Sequence, residues 1–345
     1  MINTQTHLSR IYSKEKDMVS VSVIIPAYNE SRTLQRILGF LEEQDFKDME
    51  VIFVVDERST DRTAEYVNGM AKNAGNLKVI LQDGAGRLGE ARNIGLESAA
   101  GKYVWFLDAD DRPYPDFLRT MHSLAEKHDA EITQCNFIRS SDPETEEPDT
   151  ECTPLVASGK EALIERAYER VPVTAWSMLI RRDFLLDNNL RFPEGGYAED
   201  VDFIYRAFEK CQRYCYCGKP MYLYLENDNS VCFSKQNERG QGEISVYGGL
   251  YDHFRNGDPE FYKIFRRRSA LMRVRSASHM DHGNFVTYIK GRECRDMMKT
   301  ELSDPLTPEY VWLRLSPTTY YIAIKIFLKF IYYRDKRIFG RRSGK

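Results

Sequence analysis

Lys102-Tyr103-Val104-Trp105-Phe106-Leu107 runs without a break into Asp108-Ala109-Asp110-Asp111. A short aromatic and β-branched run bounded by turn residues reads as a buried strand. The carboxylates past its end read either as a polar site or as a turn, the more so with Pro113 close behind. The same rhythm repeats upstream. Residues 89–99 read as a helix, 77–81 as a strand, and 62–74 as a helix for which Ser59, Thr60 and Asp61 supply capping side chains. Residues 50–55 form another apolar run, ending in Asp56-Glu57. Before it, Leu34, Ile37, Leu38 and Leu41 give residues 31–43 the spacing of an amphipathic helix. Val19-Ser20-Val21-Ser22-Val23-Ile24-Ile25-Pro26 is the first strand.

Strand and helix alternating in this way predict an α/β fold with a mostly parallel sheet and crossover helices. Ligands in such sheets bind beyond the carboxyl ends of the strands. Asn29 and Glu30, Asp56 and Glu57, and Asp108, Asp110 and Asp111 all fall there. The first strand is not followed by G-x-G-x-x-G, and the chain has no G-x-x-x-x-G-K-[ST]. Dinucleotide and P-loop readings are therefore weak. Two carboxylates one residue apart at a strand end suit a hard cation such as Mn2+ or Mg2+, together with diphosphate oxygens.

The 345 residues carry a formal net charge of -3, which gives no overall reason to expect nucleic acid as the partner. Seven cysteines form an odd set, and reduced thiols in a cytoplasmic protein are the simplest reading. Cys211, Cys215, Cys217 and Cys232 lack two-knuckle zinc spacing. Tyr214-Cys215-Tyr216-Cys217 alternates as a strand does, with both thiols on one face. Residues 1–18 are polar, lack the apolar core of a signal peptide and read as a flexible lead-in.

Four stretches, taken in order, resemble the family 2 inverting glycosyltransferases of bacterial capsule, exopolysaccharide and cell-surface glycan synthesis. They are Val23-Ile24-Ile25-Pro26-Ala27-Tyr28-Asn29-Glu30, then Val54-Val55-Asp56-Glu57-Arg58-Ser59-Thr60-Asp61. Gly89-Glu90-Ala91-Arg92-Asn93-Ile94-Gly95 with Phe106 to Asp111 forms the third, and Ala198-Glu199-Asp200-Val201-Asp202 lies in the fourth. The resemblance covers about residues 19–234. It implies a GT-A (Rossmann-like) sheet flanked by helices, with a C-terminal helical extension. Residues 19–240 would be the catalytic domain, split into a nucleotide-sugar half (19–140) and an acceptor half (141–240). Residues 241–345 would be a helical region ending in a basic amphipathic tail (310–345).

The resemblance also implies roles. Pro26, Tyr28 and Glu30 would cradle the nucleotide, and Asp56 would hydrogen-bond its base. Asp108 would lie near the ribose or the metal, and Asp110 would bind the metal. Arg92 either assists the phosphates or is a solvated helix position. Asp200 is expected to be the general base, with Glu199 able to exchange roles with it; both also suit the first turn of a helix, where negative charge is favoured. Trp176 either stacks on an acceptor sugar or is a core tryptophan. Where the family reads Asp-Asp-Gly-Ser, this chain has Asp56-Glu57-Arg58-Ser59 and loses a residue that tolerates positive φ. The implied donor is a UDP-sugar, and the implied acceptor a glycan or a lipid-linked glycan. A nucleotidyltransferase, or a non-catalytic sugar-nucleotide or partner-binding module, is the alternative.

Residues 141–151 are dense in acid and proline and read as a solvated loop. Residues 222–225 read as a strand, followed by Asn229, Ser230 and Ser234 in a loop that in similar enzymes can close over the diphosphate. Residues 244–302 read as helices. From Trp312 to Lys345 there are nine Lys or Arg against the one acid Asp335, and residues 320–333 are apolar except for Lys325 and Lys329. That stretch is shorter than the ~20 residues needed to cross a bilayer. A basic, aromatic helix of this kind suits peripheral contact with an anionic inner membrane face. Docking on its own core, or a homodimer contact, is the other use of the same helix.

Overall fold

β1 (Val21–Ala27) and β2 (Met49–Asp56) pair in parallel from Val21 opposite Met49 to Ala27 opposite Val55. Both are buried almost throughout, which is why they read as continuous apolar runs rather than alternating ones. β3 (Leu77–Gln82) extends the sheet beyond β2, and β4 (Tyr103–Phe106) pairs with the other side of β1. The computed structural model describes residues 19–72, 75–83, 87–226, 236–301, 312 and 315–326. The lead-in, the loop at 229–234 and the tail beyond 326 lie outside the described residues.

The helices Leu34–Glu43, Thr63–Ala71 and Leu88–Ser98 are the crossovers. Leu34, Ile37, Leu38 and Leu41 are buried, so the i, i+3, i+4, i+7 stripe faces the core as its spacing requires. Leu88–Ser98 packs against β1 at Gly95. A Cβ built there would stand 2.3 Å from Ile24 Cγ2, so only glycine permits this approach.

The full order is β3-β2-β1-β4-β8-β6-β9-β5, with β7 pairing β9. β5 is Arg112–Pro113, β6 Ile132–Ser140, β7 Pro154–Ala157, β8 Met178–Arg181 and β9 Tyr214–Leu225. Only the first half is wholly parallel. β8 runs antiparallel to β4 and β6, and β9 is antiparallel to β5 and β7 but parallel to β6. The sheet is mostly parallel as expected: β1 to β4, β6 and β9 run one way, and β5, β7 and β8 run the other, β8 entering reversed between β4 and β6. Trp105 stacks on Phe117 at 4.4 Å and donates from Nε1 to the Trp176 carbonyl at 2.8 Å.

β9 carries Cys215 and Cys217, both fully buried. Cys217 is joined to Cys152 as a disulfide with a Cα separation of 5.5 Å, which departs from the expectation that every thiol is reduced. The cause is register: Pro154 stands opposite Cys217, which brings residue 152 alongside.

The chain forms two compact units. The first holds residues 1–162, 171–195 and 206–225 and contains the whole sheet; the second holds 163–170, 196–205 and 226–345. The second unit is helical: Gln236–Phe254, Pro259–Ala277, His282–Lys290 and Arg292–Glu301. Asp258 caps the second of these by accepting from Phe261 N, with Pro259 in the first turn; Asp281 caps the third by accepting from Asn284 N. Tyr205, Phe254, Phe261 and Phe265 form an aromatic cluster, with Phe254 and Phe265 5.1 Å apart. Residues 317–326 are helical and dock on this unit's own core, with Tyr320 buried and the Tyr321 hydroxyl donating to Met280 O at 3.0 Å. Among the described residues no helix is long and apolar enough to cross a membrane.

Candidate active site

Parallel strands in register deliver their ends to one edge. Ala27 stands opposite Val55 and Ile24 opposite Phe106, so Tyr28 and Asp56 lie at one level of this edge, and Pro26, still within β1, and Asp108 at another. The first unit thus brings together Pro26, Tyr28, Glu30, Asp56, Arg92, Asp108 and Asp110.

Arg92 is the best-buried of these, its side chain 1% exposed. Its Nη2 donates to Asp108 Oδ1 at 2.9 Å, and its guanidinium lies 5.1 Å from the Phe192 ring centroid. Phe192 is fixed in turn by a reciprocal pair: Asn93 Nδ2 donates to Phe192 O, and Phe192 N donates to Asn93 Oδ1, each at 2.9 Å. A solvated helix position is therefore ruled out for Arg92. It shares the buried stripe of its helix with Ala91, Gly95 and Leu96, and Gly95 sets how near that helix comes to β1.

Asp108 is 20% exposed on its side chain, so it faces partly outward from this pair. Asp110 lies two residues farther along the same turn. Burial pushes its carboxyl up from the usual range, and the charge of Glu30 adds to the effect. Glu30 is raised first by its own burial, with Asp61 and Asp108 contributing, while a hydrogen bond from Thr33 opposes the shift. Arg36 Nη2 donates to the Asp110 carbonyl at 3.0 Å and fixes the turn from the side. Asp111 is fully buried, and its Oδ1 accepts from Leu225 N at 3.0 Å, tying the turn to the end of β9. Nothing local in the sequence pointed to Arg36, which lies 74 positions from Asp110, and Asp111 was marked only by adjoining the motif.

At the other end, Asp56 is held by its own loop. Arg58 Nε donates to Oδ1 at 3.0 Å, Nη2 to Oδ2 at 2.5 Å, and the Arg58 amide to Oδ1 at 2.9 Å. These hydrogen bonds hold the Asp56 carboxyl below its usual range. The same guanidinium lies 5.9 Å from the centroid of the half-exposed Tyr28 ring. Arg58 does not have positive φ, so replacing the family's glycine costs no backbone strain here. Positive φ falls instead on Asn29 (56°), whose Oδ1 accepts from Thr60 N at 2.8 Å and binds the two loops together. Asp61 completes the latch, accepting from Ser31 N and Thr63 N at 3.0 Å each. Burial works against the Asp61 charge, but hydrogen bonds from Thr63 and Ser31 outweigh it and hold the carboxyl at about 2.

Trp176 is buried in the first unit, its ring stacked on Tyr222 at 4.3 Å and meeting the edge of Phe137 at 4.8 Å. Its placement is that of a core tryptophan backing the sheet, and an indole free to stack on a sugar is not what it presents. Glu199 and Asp200 begin the helix Glu199–Lys210, in the part assigned to the second unit. The chain enters that helix through Ala198 at φ 65°, and Val201 N donates to Ala198 O at 3.0 Å. Gly242 lies close against Tyr197: a Cβ added there would come within 2.8 Å of Tyr197 Cβ. Among the described residues no group of three or more His, Cys, Asp or Glu has the geometry of a metal site.

Residues 22–188 match the model for glycosyl transferase family 2. The uncharacterized glycosyltransferase EpsJ of Bacillus subtilis is 32% identical over 68% of this chain and 70% of its own length. The chain belongs to glycosyl transferase family 2. The transferase also superposes on residues 1–349 of Staphylococcus aureus TarS, solved with UDP-GlcNAc, with a TM-score of 0.64 at 21% identity over 90% of this chain and 91% of that one. The mannosyltransferase PcManGT of Pyrobaculum calidifontis, solved with GDP-Man and Mn2+, matches at a TM-score of 0.52 and 18% identity over 93% and 92%. Both show that the transferase has the GT-A fold of these enzymes.

Proposed function

We propose that the transferase moves a sugar from a UDP-sugar to a hydroxyl of a glycan or lipid-linked acceptor in bacterial surface polysaccharide synthesis, with inversion at the anomeric carbon. The observation carrying this reading is the row of carboxylates at one sheet edge, with Asp56 beside an exposed aromatic at one end and Asp108-Ala109-Asp110 at the other. Family membership and the UDP-GlcNAc bound by TarS support it.

Asp108 and Asp110 are the residues that would hold a divalent cation. The charge chemistry fits: Asp110 is desolvated and crowded by Glu30, a strain that a cation relieves. Oxygen donors suit Mn2+ or Mg2+, and two protein carboxylates leave the remaining positions to diphosphate and water. When bound, such an ion stabilises negative charge on the departing diphosphate. Arg92 would assist the phosphates through Asp108, which it orients from behind. Asp200, with Glu199 beside it, takes the proton of the acceptor hydroxyl as that oxygen attacks the anomeric carbon and the bond to the nucleoside diphosphate breaks. Mounting the base on a helix start keeps it rigid.

Calorimetry with a panel of nucleotide sugars, in Mn2+ and then in chelator, is the test. Binding is expected for a UDP-sugar with metal, lost in Asp110→Ala and kept in Asp200→Asn, which loses turnover alone. Donor binding by Asp110→Ala at saturating Mn2+ would end the metal assignment, and turnover by Asp200→Asn would end that of the base.

The tail is proposed to touch the membrane from the outer face of the docked helix. Ile322 and Ile326 are exposed there, and seven of the nine basic residues (Lys329, Arg334, Lys336, Arg337, Arg341, Arg342, Lys345) follow Ile326. Co-sedimentation with anionic vesicles should fall when the chain ends at Ile326; equal pelleting would overturn the contact.

A further inference from the structure

The residue standing where family 2 has glycine is half exposed, free of backbone strain and engaged with its own loop. Arg58 turns back on Asp56 and occupies both carboxylate oxygens with one guanidinium fork. The same guanidinium lies over the Tyr28 ring. Tyr28 and Asp56 leave adjacent parallel strands at one level, so these two contacts define one slot with an aromatic face on one side and a carboxylate on the other. That slot has the chemistry of a site for a planar heterocycle: a ring to cover its face and an acceptor for an N–H on its edge. Arg58 satisfies both surfaces itself.

We infer that Arg58 is an internal competitor for the nucleotide base, which must displace the guanidinium from Asp56 in order to bind. The inference rests on the reading of Asp56 and Tyr28 as the base end of a UDP-sugar site. Exposure decides whether such an exchange is feasible. Asp56 is nearly buried, its side chain 8% exposed, whereas the Arg58 side chain is 52% exposed. A fork closed from the solvent side over a buried carboxylate can swing into water at small cost, because the guanidinium regains hydration that a buried one would not. Asp56 cannot make the complementary move. Its backbone closes the turn through Ser59 N, which donates to Asp56 O at 3.0 Å. Arg58 is therefore the moving partner, and affinity for the base is the difference between two sets of hydrogen bonds to the same two oxygens. Its residue type sets how tightly the transferase holds a donor through its base, and so how far selectivity rests on sugar and diphosphate instead.

The experiment is calorimetry of UDP and of N3-methyl-UDP, both with Mn2+, on the wild type, Arg58→Gly and Arg58→Lys. N3-methylation removes the one edge N–H that a uracil ring can offer a carboxylate. Arg58→Gly should bind UDP roughly three- to thirtyfold more tightly than the wild type, with Arg58→Lys between them, because lysine lacks the two-pronged fork. N3-methyl-UDP should lose about tenfold or more relative to UDP in Arg58→Gly, the cost of an unpaired buried acceptor. Unchanged or weaker UDP binding by Arg58→Gly would overturn the competition. Equal binding of the two nucleotides by that variant would overturn it as well, since the base would then not reach Asp56. If neither the wild type nor the variants bind UDP, the donor-site reading falls and takes this inference with it, a result distinct from the other two.

Discussion

Two aspartates at the same sheet edge are each held by an arginine, and the two pairs are built in opposite ways. At the Asp108 end the arginine is the buried partner: Arg92 is 1% exposed and Asp108 20%. At the Asp56 end the aspartate is buried, and Arg58 has half its side-chain surface in solvent. Arg92 arrives on a helix whose approach to β1 is fixed at Gly95, and its guanidinium rests against Phe192. Arg58 arrives from the same short loop as its partner, two residues away. A charge surrounded by protein is paid for once, at folding, and then stays put. A charge that water can reach can trade partners. On the reading proposed above, the Asp108 end is thus preorganised and the Asp56 end exchangeable.

The largest effect should come from taking the buried arginine away. Arg92→Ala leaves Asp108 facing a space shaped for a guanidinium, and removing one partner of a buried pair costs about 3–5 kcal/mol; the partial exposure of Asp108 points to the lower end. Chemical denaturation should show that loss, and donor binding should fall with it. Arg58→Ala should lower the unfolding midpoint much less, because water reaches the pair from the arginine side. If the two variants lose equal stability, the contrast between fixed and exchangeable ends is broken.

The contrast was half visible in the sequence. The four parallel strands could be read because strands covered on both faces must be continuously apolar, and their ends followed from that. Arg92 could have been placed too, since it lies one turn before Gly95 and Leu96 on the buried stripe of its helix. The Arg58 fork could not, because an arginine two residues from an aspartate is compatible with many loop conformations. The antiparallel insertion of β8 between β4 and β6, and a second unit assembled from three separate stretches, depend on pairings distant in sequence that no local pattern encodes. Trp176 was ambiguous for a related reason: its stacking partner Tyr222 lies 46 positions along the chain.

Asp61 sharpens the comparison from a third side, because neutral donors rather than an arginine hold it. Ser31 N, Thr63 N and the Thr63 hydroxyl all favour its ionised form, and its carboxyl sits at about 2 in the folded chain. An unfolded aspartate titrates near 3.9. The folded value is depressed, so the latch contributes its stability fully above the unfolded value and loses it as pH falls toward 2. Asp61→Asn keeps one acceptor oxygen but has no charge to protonate. Its unfolding midpoint should lie slightly below that of the wild type at pH 7, and the gap should close between about pH 4 and pH 2. The loops it joins carry both Tyr28 and Arg58, so the variant should also weaken UDP binding modestly at neutral pH. A gap that stays constant down to pH 2 would mean that the hydrogen bonds hold the loops without regard to charge, and the exchangeable end would then be secured by geometry alone.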